Sequence, residues 1–565
     1  MRQLTHEIES GISDVDFSGD CIISVSDICS AVDRLKAYKR DGHYHISTDH
    51  FIYACPELYA HLSFFFTAIL VHGFVPDALL YSSIVSIPKG KNANLADSAS
   101  YRGISLCSIF SKLFDNIVLC RYQDRLVTSV LQFGFKADHS TAMCSLILKE
   151  SVSYYVNNGS SVFCTFLDAT KAFDRVEYCK LFRLLVERKL PFHIIRVLLS
   201  FYLRNRVRVS WCGVVSDYFS VSNGVKQGGV LSPVLFCTYV DKLLYDLSAS
   251  GFGCYIGECF VGALAYADDI VLLAPSATAM RKLLHICDNY ASAYHVKFNA
   301  LKSKCLYFGR KKGACLVSDS HASCIFTVGG NDIENVDHFV HLGHVFNSQL
   351  HDSVDIERCG NMFVRQTNNV LCYFSKLDSL MKYNLFKSYC TSFYGAELWS
   401  LQNSDITSFS VLWRKAIRRV WSLPCNTHSF LLPLISHCLP IIDELCRRFV
   451  NFAHRCLCHY SYLIRFVSRH CLHVGGNGSC FGGNLIFCLR RYGFNYGDLF
   501  RGTISSDIFY SKFWSELSYD QLMAAIMLSE LIMVRDGCFT LSYLTRSDVC
   551  DVITDICVAP RERFS

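Results

Sequence analysis

Tyr266-Ala267-Asp268-Asp269 joins two apolar runs, Ala263 to Tyr266 and Ile270 to Leu273, and reads as a β-hairpin with two acids at its tip. Upstream, Val162 to Leu167 is a short apolar run, best read as a buried strand, that ends at Asp168 with Asp174 close behind. Paired carboxylates at a buried tip repel, and each raises the other's pKa unless a cation is present. Mg²⁺ is the obvious cation, since one or two carboxylates plus substrate phosphates hold it. Two such ions, about 3.5–4 Å apart, stabilise the attacking and leaving oxygens of an in-line phosphoryl displacement. An isolated Asp-Asp is more often an exposed turn, so the pair gains meaning only from its neighbours.

Outward from these strands, helical and extended patterns alternate. Ser26 and Asp27 can cap a helix with Ile28, Val32 and Leu35 on one face. Tyr81 to Ile87 reads as a strand stopped by Pro88, and Lys89 to Ser100 as a polar loop. Phe110, Leu113, Ile117 and Leu119 mark a helix, and Tyr178 to Glu187 another. Arg206 to Val221 alternates around Cys212-Gly213 like a hairpin. Ser232-Pro233 opens a helix to about Leu247, with proline at a tolerated early position. Thr278 to Tyr294 is helical in pattern, Cys305 to Phe308 extended, and the chain after about residue 350 mainly helical. Residues 1–25 carry no legible pattern, and there is no internal repeat or low-complexity tract.

The chain has 565 residues, 51% of them hydrophobic, enough for two to four domains around a large core. Its formal charge of +6 is mild, so a nucleic-acid partner must be held by local basic stripes. Thirty scattered cysteines without a signal peptide read as reduced thiols of an intracellular protein. Cys107, Cys164 and Cys237 lie in apolar runs and read as small core residues. The most apolar stretch, Leu58 to Val71, is too short to span a bilayer and contains His61 and Ser63, so no membrane segment is expected. Basic clusters occur at Arg204, Arg206 and Arg208, at Arg310-Lys311-Lys312, and on a helix from Trp413 to Trp421. The polar face of that helix, Arg414, Lys415, Arg418 and Arg419, suits either a phosphate backbone or plain solvent. Cys456, Cys458, His459, His470 and Cys471 lack the spacing of a standard zinc site.

Taken in order, the segments resemble the palm of reverse transcriptases of non-LTR (LINE-type) retrotransposons, from about Ser26 to Asn347. Ile87-Pro88-Lys89 and Tyr101-Arg102-Gly103-Ile104-Ser105-Leu106 look like the fingers segment. Gln132-Phe133-Gly134-Phe135 followed by His139-Ser140-Thr141 looks like the next signature. Phe166 to Asp174 resembles motif A, Gly224 to Pro233 motif B, and Tyr266 to Asp269 motif C. Asn299, Lys302 and Lys304 resemble motif D, and Phe339 to Gly343 the primer grip. Each alone is weak, and their shared order is what makes them specific. His341-Leu342-Gly343 departs from the family in lacking an aromatic residue before Leu-Gly, and Asp41-Gly42-His43-Tyr44 matches the upstream glycine-rich element only loosely.

The resemblance implies an α+β right-hand polymerase fold: an N-terminal extension at 1–79, fingers and an antiparallel-sheet palm at 80–346, a helical thumb at 347–450 and a C-terminal region of unknown role at 451–565. Asp168, Asp268 and Asp269 would hold two Mg²⁺ ions, with Mn²⁺ as a substitute. Phe173 would be the steric gate against a ribose 2′-hydroxyl. Gln227 and Gly228 would let the backbone approach the incoming nucleotide, while Arg102 and Lys89 would hold its triphosphate. Lys302 would protonate the leaving pyrophosphate, and Leu342 and Gly343 would form the primer grip. The implied partners are an RNA template, a DNA primer or target and dNTPs, without a membrane. The implied location is the cytoplasm, with access to the nucleus. No room precedes the fingers for the endonuclease such elements usually carry, so a fragment of a larger polyprotein, a truncated copy or a product relying on another nuclease is expected. The rival readings are an inactive RNA-binding relic, an RNA-dependent RNA polymerase and an intron maturase. Tyr-Ala-Asp-Asp and the aromatic ring at Phe173 speak against the RNA polymerase.

Overall fold

The computed structural model describes residues 2–516 apart from 14–20, 43–44, 91–93, 310, 313–314, 317–323, 437, 477 and 506. Its centre is the strand Val162–Leu167, all six residues of which are buried. A strand buried on both faces needs an unbroken apolar run rather than alternation, and Val-Phe-Cys-Thr-Phe-Leu supplies one. It pairs antiparallel with Asp269–Ala274 on one side and with Lys304–Phe308 on the other. The hairpin strand Ala263–Tyr266 closes one edge, and Asn331–Asn335 with Phe326–Val328 extends the other, giving six strands. This palm sheet is antiparallel except where Lys304–Phe308 runs parallel to Asn331–Asn335.

Successive side chains of the central strand point to opposite faces. The Thr165 hydroxyl donates to Met280 Sδ on the helix Ala277–Tyr294, and Phe166 packs against Phe339 with ring centres 4.6 Å apart. Phe339 belongs to a small hairpin, His338–His341 with His344–Asn347, laid over the face opposite that helix. A second sheet forms the fingers. Tyr81–Pro88 pairs antiparallel with Tyr101–Cys107 and parallel with Arg206–Trp211, whose own hairpin turns at Cys212-Gly213 as expected.

Helices expected from the sequence form at Ile109–Tyr122, Tyr178–Glu187, Ser232–Ala249 and Ala277–Tyr294. The first cap lies elsewhere. Ser24, not Ser26, caps the helix Val25–Asp33, in a reciprocal box with Asp27, because Asp27 then falls at the third helical position. The unreadable N-terminus contains a helix, Arg2–Ser13, whose Leu4, Ile8 and Ile12 bury one stripe in the core. The apolar stretch Leu58 to Val71 lies within the helix Pro56–His72, which buries Leu62, Phe66, Ile69 and Leu70. No helix among the described residues is long and apolar enough to cross a membrane. The residues before 80 and those up to Phe509 contribute to one continuous core. Cys107, Cys164 and Cys237 are all buried, Cys164 within that core, and burial raises the Cys164 and Cys237 thiol pKa values, the latter to about 12.

One element was invisible to periodicity. The helix Thr141–Asn157 buries every residue from Met143 to Val152, including Lys149 and Glu150. Lys149 Nζ donates to Asp352 (2.6 Å) and to the Leu398 carbonyl (2.7 Å), while Glu150 accepts the Phe481 amide (2.8 Å). Asn484 accepts the Leu401 amide and donates to the Trp399 carbonyl, and Trp399 Nε1 donates to Asp355. These bonds join the palm to the helices after residue 350 through a seam with little access to water. Removing one member of a buried pair leaves the other desolvated and uncompensated. Lys149→Met is therefore expected to lower unfolding stability by about 3 kcal/mol, read by denaturant or thermal unfolding. An unchanged midpoint would show that the seam is incidental.

Candidate active site

The strand register decides where the acids go. Leu167 pairs with Ile270, so the next antiparallel step sets Asp168 across from Asp269, at the start of its strand. Ala267 and Asp268 form the turn between Tyr266 and Asp269. Ala267 adopts a left-handed backbone, φ +60°, which an L-residue enters only when held there. Gln132 holds it. This fully buried side chain accepts both the Gly134 and the Ala267 amides through Oε1, each at 2.8 Å. A Cβ at Gly134 would collide with the Ala267 amide, so the signature Gln-Phe-Gly is a mould for the acidic tip. The sequence displays that signature, but its role depends on a contact across 135 residues.

Asp168 is fixed separately. Its amide donates to Ser303 Oγ (3.2 Å), and its carbonyl accepts the Asn299 amide (2.8 Å). Lys302, between them, lies with Nζ 3.9 Å from Asp168 Oδ2. Burial, then Asp168, raise the Asp268 pKa, while Arg102 draws it back. Burial, then Asp268 and Asp168, push Asp269 up to about 6. The three carboxylates thus form one repelling group, with Arg102 and Lys302 as the nearest cations singled out by the sequence. Among the described residues, no three His, Cys, Asp or Glu side chains enclose an ion by themselves.

Motif B wraps the other side. The Val225 amide donates to the Phe173 carbonyl (2.9 Å), and the Ser105 amide to the Gln227 carbonyl (2.6 Å). Gly228, φ +109°, leaves room where a Cβ would sit 3.0 Å from the Ser105 carbonyl oxygen. Phe173 stacks on Phe236 at 4.6 Å and meets the edge of Phe135. Phe173, Gln227 and Gly228 are therefore joined to one another and to the fingers strand that carries Arg102, whose charge reaches Asp268, although they come from three distant segments. Asp115, buried and raised to about 6 by that burial, accepts the Leu231 amide and ties the next helix to the fingers; the sequence reading missed it.

Other expected residues lie further off. Lys89 is exposed at the end of its strand, its amide bonded to the Ser100 carbonyl. Lys304 pairs with Glu334 at 2.5 Å. Leu342 and Gly343 form the turn of the small hairpin, with φ +48° and +81°. The basic clusters serve the fold in part. Arg204 bonds Asp77, Arg208 bonds Ser83 Oγ, and Arg418 bonds the Thr427 carbonyl. Lys415 and Arg419 remain on the exposed face of the helix Asp405–Val420. Arg310 lies outside the described residues.

Comparison with known proteins agrees with this geometry. Residues 87–346 match the model of the reverse transcriptase (RNA-dependent DNA polymerase) family. A Pol polyprotein from the type-1 retrotransposable element R2 of Nasonia vitripennis is 27% identical over 53% of this chain and 29% of that protein. The RNA-directed DNA polymerase from the mobile element jockey of Drosophila melanogaster is 26% identical over 64% of this chain and 40% of that protein. The chain thus spans well under half the length of these curated relatives. Apo telomerase from Candida tropicalis, truncated from its C-terminal domain, superposes with a TM-score of 0.33 at 13% identity over 55% of this chain and 62% of that one, too loose to weigh. The sheet, the order of its motifs and these relatives agree: residues 87–346 are a right-hand reverse transcriptase domain, similar to those of non-LTR retrotransposon polymerases.

Proposed function

We propose that this chain copies RNA into DNA, adding dNTPs to a primer 3′-hydroxyl. The observation that carries the proposal is the carboxylate group at the end of the central strand, half-buried, mutually repelling and flanked by Arg102 and Lys302. Its donor chemistry fits magnesium, which takes hard oxygen ligands and leaves positions for substrate phosphates, so the protein need not close the cage. Bound between Asp168, Asp268 and Asp269, two Mg²⁺ ions, or Mn²⁺, would offset the repulsion and stabilise charge on the attacking and leaving oxygens.

The chain's own groups position the reactants. Arg102 presents fixed donors to the triphosphate, with Lys89 further along the same strand pair. The Gln227-Gly228 backbone, held against Ser105, leaves a shallow floor for the incoming base. The Phe173 ring, immobilised on Phe236, walls the sugar. The 3′-hydroxyl gives its proton to solvent water, its oxygen bonds to the α-phosphorus, the bond to the bridging oxygen breaks, and pyrophosphate leaves. Lys302, with Nζ 3.9 Å from Asp168, would give that leaving group a proton. Positioning and electrostatics supply most of the rate.

Primer extension on a poly(rA)/oligo(dT) hybrid with Mg²⁺ is expected for the native sequence and is expected to disappear in Asp268→Ala. A folded native chain that binds the hybrid without extending it would make the chain an RNA-binding relic. Phe173→Val should raise ribonucleotide use about 10-fold or more, since the wall alone rejects one hydroxyl. Unaltered discrimination would mean that Phe173 is only core.

The raised pKa of Asp269 has a signed consequence. The folded state binds a proton there more tightly than the unfolded chain, so this group's contribution is fully present below pH 3.8 and lost as pH rises through about 6. Asp269→Asn should therefore stabilise the metal-free chain at pH 7.5, by about 1 kcal/mol, and not at pH 3.5. A gain equal at both values would contradict the repulsion described above.

A further inference from the structure

Tyr394 lies far from every motif, yet it touches the small hairpin's turn on three counts. Its hydroxyl donates to the Leu342 carbonyl at 2.8 Å and lies 2.6 Å from Thr141 Oγ1, at the first turn of the buried helix Thr141–Asn157. Its ring covers Gly343, where a Cβ would come within 2.7 Å of Cε1. The same ring stacks on His344, with centres 5.2 Å apart and planes inclined by 19°.

The contact is reciprocal. His344 covers Gly395 as Tyr394 covers Gly343, and a Cβ on Gly395 would strike the imidazole. Each dipeptide, Gly343-His344 and Tyr394-Gly395, supplies a ring to the other's glycine. Both glycines have positive φ, +81° and +90°, so each is placed by its backbone as well as by the ring above it. Arg358 secures the same turn from a third side, donating to the Gly343 carbonyl at 2.9 Å and pairing with Asp355. Leu342, at φ +48°, carries strain that these bonds must hold in place.

The turn so clasped is fixed relative to the acids. Its hairpin packs through Phe339 and His341 on Phe166, two residues before Asp168. We propose that Tyr394 is a positioning residue for the primer terminus: its hydroxyl ties the Leu342-Gly343 turn to the helix behind the palm sheet, and its interlock with His344 sets the height of that turn over the strand leading to Asp168. This rests on the polymerase reading and on the place of Leu342 and Gly343 in it. It explains why the segment reads His341-Leu342-Gly343-His344. His341 fills the buried side against Phe166, and His344 supplies the ring for Gly395.

The test uses the full chain with Tyr394→Phe, which removes both hydroxyl bonds and keeps the ring stack, and Tyr394→Ala, which removes both. Two readouts are needed. The first is amide hydrogen exchange at residues 341–345 in the absence of nucleic acid. Exchange there is expected to speed up about 10-fold in Tyr394→Phe and further in Tyr394→Ala, with global unfolding of Tyr394→Phe unchanged. The second is steady-state extension of an oligo(dT) primer on poly(rA). In Tyr394→Phe the KM for the hybrid is expected to rise about 5-fold, with the KM for dTTP unchanged. Unchanged exchange in both variants would overturn the clasp. Faster exchange with an unchanged hybrid KM, or equal loss in both KM values, would overturn the primer role. The exchange readout needs no activity, so a native chain that fails to extend primers counts against the polymerase reading while the clasp is still decided.

Discussion

Three like charges that cannot all be comfortable together set the terms for the rest of this molecule. The pairing of Leu167 with Ile270 brings Asp168 and Asp269 to the same end of the sheet, and the turn adds Asp268. Left alone, such a group would spread apart or take up protons, as the elevation of Asp269 shows. The surrounding structure prevents the spreading. Ser303 and the Asn299 amide hold the Asp168 backbone from one side, and Gln132 holds Ala267 from the other. The strain is kept at the site because everything next to it is over-determined.

That over-determination reaches outward in layers. The buried helix Thr141–Asn157 packs on the palm strands and bonds to the later helices through Lys149 and Glu150. In front, the small hairpin rests on Phe166 and is pinned by Arg358. The helices after residue 350 are therefore joined to the palm by desolvated polar bonds, which are directional, rather than by apolar contact alone. A directional seam fixes the angle at which two regions meet, which plain burial does not.

The sequence showed the site more clearly than it showed its support. The strands around Asp168 and Asp268 were legible because short apolar runs end abruptly in acids, and the helices Tyr178–Glu187 and Ala277–Tyr294 because each has one apolar face. The helix Thr141–Asn157 was illegible for the opposite reason: it is buried all round and so has no polar face to set its period. Ser26 looked like a cap, and Ser24 won because only it places Asp27 to answer. Gln132 and Tyr394 act on backbone atoms 135 and 52 residues away, and no local pattern encodes such a bond. Arg418 read as either a phosphate contact or a solvated face, and it holds the Thr427 carbonyl. A cation's chemistry is visible in sequence, but its partner is not.

The cysteines carry a different consequence. The described ones are free thiols, many sealed in the core, and burial holds Cys164, Cys237, Cys287 and Cys456 far from the thiolate form that oxidants attack. The buried thiols of the folded chain are thus chemically quiet, while Cys55, Cys212, Cys372, Cys425 and Cys458 are exposed among its thirty cysteines. The unfolded chain is the reverse, since unfolding exposes all of them at ordinary reactivity. In air, each excursion out of the native state meets a trap of mismatched disulfides. For the buried thiols, loss outside a reducing milieu is therefore set by how often the chain opens, a rate rather than an equilibrium.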